Sequence, residues 1–322
     1  CGQNGGGSFM LVYIICLIIL GIPALTLEFA IGRAAQTSPL NMYKKLEKPG
    51  QKWGGFGIIC LIGNLALMAF YTVVCGWLVY FCKFVAGRQQ TLGFASMIAS
   101  PTINVTFLFI TVVLAFFILS FHLQGGLERI TKFMMSALLV LMLVLAVHSL
   151  LLKGAGQGVL FYLKPDISKI NGSVVVAAMN QAFFTLSTGM GSMAIFGSYI
   201  GKDRTLMGEA LHVITLDTLV AFLAGVIIFP ACFTYDLEVG AGPSLLFDTM
   251  ATVFNNMPGG RVWGSLFFLF MIFAALSTVL GVCENILAMV RELTGWSRPK
   301  GSLVCGIIVF LLALTTALGF NV

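Results

Sequence analysis

Apolar runs recur eight times along this chain, near residues 8–32, 54–85, 103–121, 130–152, 173–199, 208–233, 262–290 and 302–320. At a rise of ~1.5 Å per residue, each is long enough to cross a ~30 Å hydrocarbon core. Lipid offers backbone amides no partners, so such runs fold as packed membrane helices. The chain is 59% hydrophobic, only 9% charged and has a mean hydropathy of +1.01, values that no water-soluble core produces. A net charge of +6 is spread over short loops rather than along one face, which excludes nucleic acid as a partner and leaves the lipid bilayer. If the first run enters from outside, twelve of the eighteen Lys and Arg residues fall in cytoplasmic loops, and the positive-inside bias supports that orientation. The expectation is a single multi-pass transmembrane domain, residues 1–322, in the cell membrane.

The fifth run is interrupted. Residues 185–192 read Thr-Leu-Ser-Thr-Gly-Met-Gly-Ser, with apolar sequence on both sides. Neither flank spans the bilayer alone, whereas the two together do. Glycines at 189 and 191 relieve the backbone of Cβ strain, and an unwound turn at this depth survives only where protein or a polar cavity satisfies it. A broken helix near the membrane midplane is therefore expected, in place of a merely kinked one.

Few polar side chains interrupt the other runs. Glu28 lies five residues before Arg33, and two readings stand: an interfacial carboxylate, or an acceptor for N–H groups freed by the broken helix. Tyr71 sits near the middle of its run, four residues after Leu67 and on the same face, so its hydroxyl needs a partner within the protein. Asp217 stands ten residues into a helix beginning near Met207, about 15 Å deep, where a carboxylate must be paired or ligate an ion. Ser277 and Thr278 follow Ala274 and serve either helix packing or ligation. The stretch 234–260, punctuated by Gly240-Ala241-Gly242-Pro243 and Met257-Pro258-Gly259-Gly260, reads as an extracellular lid. The eight cysteines (1, 16, 60, 75, 82, 232, 283 and 305) form no CxxC pair and read as free thiols. His122, His148 and His212 lie near run ends with no nucleophile in view, so no enzymatic activity is expected. No short repeated filter marks a channel.

Four motifs together resemble the neurotransmitter:sodium symporter family, in particular its bacterial amino-acid transporters. They are Asn4-Gly5-Gly6-Gly7-Ser8-Phe9; Gly21-Ile22-Pro23 through Glu28-Phe29-Ala30-Ile31-Gly32-Arg33; Gln181-Ala182-Phe183-Phe184-Thr185-Leu186-Ser187 with Gly189-Met190-Gly191; and Ala274-Ala275-Leu276-Ser277-Thr278. The resemblance implies an all-α inverted-repeat transporter fold, incomplete at both ends: the chain would start at the end of the family's first helix and finish at its ninth. Broken helices near the bilayer midplane characterise this fold, and the resemblance implies the same placement for the 185–192 interruption.

The resemblance further implies sodium-coupled symport of an amino acid by alternating access, with Na⁺ as coupling ion. Thr185 and Asp217 would serve the first sodium, and Ala274, Ser277 and Thr278 the second, as hard oxygen ligands. Tyr71 would bind the substrate carboxylate, with Leu67, Phe184, Ser187, Met190 and Val282 shaping the pocket. Glu28 would support the broken helix, and Tyr199 and Glu292 would belong to the intracellular gate. Relatives that need chloride use it to compensate the sodium charge. Here Asp217, beside Tyr13 and Gln181, would supply that negative charge, because Ala221, where some relatives carry an acid, is neutral. The expected substrate is a hydrophobic or aromatic amino acid, carried without chloride across a bacterial inner membrane. The alternative is a proton-coupled amino-acid permease built on the same buried acid.

Overall fold

The computed structural model describes residues 1–81, 93–121, 128–237, 239 and 242–319. Cys82, Lys83, Arg88, His122, the turn at 125–127 and the Gly240-Ala241 pair lie outside them. Every regular element among the described residues is helical. In chain order these are α1 (Gly7–Cys16), α2 (Ile22–Ala35), α3 (Pro39–Leu46), α4 (Phe56–Phe81), α5 (Phe94–Ile98), α6 (Pro101–Ser120) and α7 (Glu128–Leu150). There follow α8 (Ala155–Leu163), α9 (Gly172–Thr185), α10 (Ser192–Tyr199), α11 (Leu206–Thr234), α12 (Met250–Asn256), α13 (Gly260–Thr294) and α14 (Arg298–Gly319).

Among the described residues, seven helical runs are long and apolar enough to cross a membrane: Gly7–Ala35, Trp53–Phe81, Pro101–Ser120, Glu128–Leu150, Leu206–Thr234, Gly260–Thr294 and Arg298–Gly319. The first joins α1 to α2 through a wide π turn, Leu17–Gly21. Pro23 lacks an N–H and its ring crowds the preceding turn, and the wide turn absorbs that conflict without ending the run. Ile15, Ile18 and Ile19 on this run are 45%, 57% and 64% exposed, a surface that only lipid tolerates. The protein is a multi-pass membrane protein.

The stretch 234–260 is more ordered than a plain lid loop. It holds a π turn, Leu245–Thr249, and α12, and it is fastened from outside α12. The Phe247 ring stacks on Phe94 at 5.0 Å and meets Trp77 edge-on at 6.1 Å, and the Phe94 amide donates to Asp248 Oδ1 at 3.0 Å. Trp77 in turn donates its indole N–H to Asn104 Oδ1 at 2.8 Å.

The buried side chains form two main cores. The larger joins α4, α6, α7, α12, α13 and α14 with the second half of α11, through Val226, Ile227, Phe229, Ala231 and Cys232. The smaller joins α1, α2 and α9 with the start of α11, through Ala210 and Ile214. Between those two attachments, residues 215–224 of α11 contribute no buried side chain.

Candidate substrate and sodium site

The site is built on the break between α9 and α10. Asn171 starts α9 by accepting the Val174 amide at 3.0 Å, a normal N-cap. The helix ends because three residues in the next seven take positive φ: Ser187 at 50°, Gly189 at 91° and Gly191 at 68°. Two are glycines, for which this costs little. At Ser187 it costs about 1 kcal/mol or more, strain that persists only where surroundings enforce it. The freed backbone groups find partners one by one. The Ser187 amide reaches the Phe184 carbonyl at 3.1 Å, the Thr188 amide reaches Phe183 at 3.3 Å, and the Gly189 amide donates to Glu28 Oε1 at 2.5 Å.

Glu28 can reach the break because α2 and α10 touch backbone to backbone. A Cβ built on Gly32 would lie 1.9 Å from the Ala194 carbonyl oxygen, and one on Gly197 would lie 2.7 Å from Phe29 Cα. Small residues permit this approach, as at many membrane helix seams. Of the two readings of Glu28, the structure thus has a buried side chain, 7% exposed, bonded to the break.

Asp217 lies on α11 beside the end of α9. Thr185 Oγ1 donates to its two carboxylate oxygens at 3.2 and 3.3 Å, and the Tyr13 hydroxyl donates to Oδ2 at 3.4 Å. Gln181, on the exposed side of α9, lines a cavity of about 360 Å³ with Tyr13, Thr185 and Ala221. One carboxyl group and two hydroxyls thus gather hard oxygen atoms beside the break.

A second oxygen cluster occupies one turn of α13. Ser277 Oγ and Thr278 Oγ1 both donate to the Ala274 carbonyl, at 2.8 and 3.3 Å, which leaves the hydroxyl lone pairs free to accept or ligate. The Tyr71 hydroxyl faces the Thr278 side chain from α4. Leu67, Tyr71 and Val282 share the larger core, and the Met190 sulfur lies 3.6 Å from where a Cβ on Gly63 would be. Ser187 sits in the break itself. Phe184 is not drawn into this group, being 58% exposed.

At the far end, Tyr199 and Glu292 line a common cavity of about 340 Å³ with Gln36, Ser38 and Arg291. Glu292 Oε2 accepts the Ser38 amide at 3.0 Å at the start of α3. Nearby, Glu284 and Arg298 form a largely buried ion pair through Nη1 and Nη2 of the guanidinium, and Arg298 Nε also reaches the Leu119 and Phe121 carbonyls at 2.8 and 2.6 Å.

Sequence reasoning missed Asn64 and Asn285. Both are fully buried, and Asn64 holds the break by donating to the Met190 carbonyl at 2.9 Å. An asparagine amid an apolar run was a usable signal, because a carboxamide in the hydrocarbon region needs polar partners.

A broken membrane helix flanked by two clusters of hard oxygens defines a secondary transporter of the inverted-repeat type. The chain matches the sodium:neurotransmitter symporter family over residues 1–96 and 88–320, and it belongs to that family. It is 33% identical to the uncharacterised sodium-dependent transporter YhdH of Bacillus subtilis (strain 168), over 100% of this chain and 73% of YhdH. It is 27% identical to the sodium-dependent serotonin transporter of Drosophila melanogaster, over 98% of this chain and 59% of that protein. Its structure superimposes on the crystal structure of MhsT in complex with L-phenylalanine with a TM-score of 0.90 at 35% identity, covering 100% of this chain and 75% of MhsT. The protein is accordingly a sodium-coupled symporter and not an enzyme.

Proposed function

We propose that the transported solute is a hydrophobic or aromatic amino acid, taken up with Na⁺ by alternating access and without chloride. The observation that carries this reading is the Asp217 carboxylate, held by the Thr185 and Tyr13 hydroxyls beside the break. A fixed negative charge there compensates a bound sodium, so no mobile anion is needed. Ala274, Ser277 and Thr278 supply the second sodium. Tyr71 and the break receive the substrate's carboxylate, with the N-terminal end of α10 contributing partial positive charge. Leu67, Met190 and Val282 give the side-chain pocket an apolar, adaptable wall. The relative whose structure contains L-phenylalanine supports the substrate class. Tyr199 and Glu292 act at the cytoplasmic exit, and the 234–260 segment covers the outer side.

The test is uptake of radiolabelled amino acids by the full-length transporter in proteoliposomes. Replacing external sodium with choline should abolish uptake, and replacing chloride with gluconate should leave it intact. Uptake that collapses in gluconate overturns chloride independence. Uptake that persists in choline but follows an imposed proton gradient favours a proton-coupled permease centred on Asp217. Competition by glycine or acidic amino acids alone overturns the substrate class.

A further inference from the structure

Asn64 uses every hydrogen-bonding position of its side chain. Its Nδ2 donates to the Cys60 carbonyl at 2.7 Å and to the Met190 carbonyl at 2.9 Å. Its Oδ1 accepts the Ser192 hydroxyl at 2.7 Å and the Asn285 Nδ2 at 3.2 Å. Two donors and two acceptor sites are thereby filled. Beyond the local Cys60 bond, the partners belong to three separate pieces: the break, the start of α10, and α13.

The positions of the two asparagines along their helices matter. Asn64 precedes Leu67 by three residues and Tyr71 by seven, so it shares the face of α4 that looks toward the proposed substrate pocket. Asn285 follows Thr278 by seven residues, two turns along the face of α13 that carries the hydroxyl cluster. Apolar side chains would fill this interior at no desolvation cost, so burying two carboxamides needs a reason other than packing. The bonds are also unequal. Asn285 holds Asn64 through one contact, the longest of the four, while its own Oδ1 has no partner among the described residues. The link to α13 is therefore the weakest of the four by geometry, and the links to the break are the shorter ones.

We propose that Asn64 and Asn285 are a positioning pair that transmits sodium occupancy on α13 to the geometry of the break. The proposal rests on the reading of Ala274, Ser277 and Thr278 as a sodium site. A cation drawing that turn of α13 into register shifts Asn285, Asn285 engages Asn64, and Asn64 fixes Met190 and Ser192. The cation thereby tightens a break that Asn64 already holds, a coupling between two sites through one two-state contact.

The experiment is hydrogen–deuterium exchange of the full-length transporter in lipid nanodiscs, with sodium chloride or choline chloride as the only variable. In the wild type, sodium alone should slow exchange of the amides at 187–193 by about fivefold or more, the low end of ordinary coupling. Asn285→Leu should leave the sodium-free rate unchanged and remove the slowing. Asn64→Leu should raise the sodium-free rate as well, because it also releases Met190 and Ser192. A merely structural role for Asn285 would alter the sodium-free rate and leave the response to sodium. Undiminished slowing in Asn285→Leu overturns the proposal, as does a wild-type break whose exchange ignores sodium. Neither result touches sodium-dependent uptake, which stands or falls on the choline replacement. Should Asn285→Leu fail to fold, Asn285→Ala makes the same comparison.

Discussion

Replacing Gly32 with alanine tests the seam on which the site depends. The added methyl would lie 1.9 Å from the Ala194 carbonyl oxygen, 2.8 Å from its carbon and 3.0 Å from the Ser198 nitrogen. All three are backbone atoms, so no side chain can swing away. To bring the first contact to an ordinary 3.4 Å, α2 and α10 must part by about 1.5 Å. Glu28 lies one turn before Gly32 on the same face, and its 2.5 Å bond to the Gly189 amide would stretch toward about 4 Å and break. Overpacking costs about 1–3 kcal/mol, and a buried amide left without its acceptor about 1–3 kcal/mol more. The expected loss is roughly 2–6 kcal/mol. The assay is unfolding in mixed dodecylmaltoside–SDS micelles, with Gly281→Ala as control. A Cβ at Gly281 would meet only Phe196 Cζ at 3.7 Å, so that variant should be neutral or gain up to ~1 kcal/mol from helix propensity. Gly32→Ala unfolding at the same SDS fraction as the wild type would refute the reasoning.

Asp217→Asn should make uptake depend on chloride and raise the sodium concentration for half-maximal uptake by about tenfold, the loss of ~1.4 kcal/mol of charge attraction; unchanged sodium and chloride titrations would count against the carboxylate's role. Glu284→Gln should destabilise by about 3–5 kcal/mol because it strands Arg298 in the interior, whereas Glu284→Gln with Arg298→Met should recover most of that in the same SDS assay. Thr278→Val should weaken sodium dependence of uptake without changing the unfolding free energy by more than ~1 kcal/mol. In the connection before α9, the Ser168 hydroxyl and amide hold the exposed Asp166 carboxyl below its ordinary value. Its contribution is therefore complete above that ordinary value and disappears only as pH falls through the lower, folded one. Ser168→Ala should move the Asp166 titration upward, read by carbon-13 NMR of labelled aspartate.

What the sequence revealed follows from what lipid forbids. Eight apolar runs and one interruption with two glycines leave few alternatives to a bundle with a broken helix, because unsatisfied backbone in hydrocarbon is too costly. Asp217 was legible for the same reason, and its distance from Thr185 and Tyr13 followed from the family motifs rather than from spacing. The Gly32–Ala194 seam was not legible, since a glycine in an apolar run gives no sign of which backbone it will meet. Nor was the contact between Asn64 and Asn285, which are 221 positions apart in sequence. The ordering of the 234–260 segment was hidden too, because its hold comes from distant Phe94, whose ring stacks on Phe247 and whose amide donates to Asp248.

Because α11 is anchored at its beginning in one core and at its end in the other, it is a spring joining two bodies. Rocking of α1, α2 and α9 against α4, α13 and α14 would fall most easily on residues 215–224, whose side chains are only partly buried. Asp217 lies inside that flexing interval, with Thr185 on the rocking body bonded to it. A cation seated between them would stiffen the spring at its softest coil, so the ion that drives the cycle would also act as its brake until it departs.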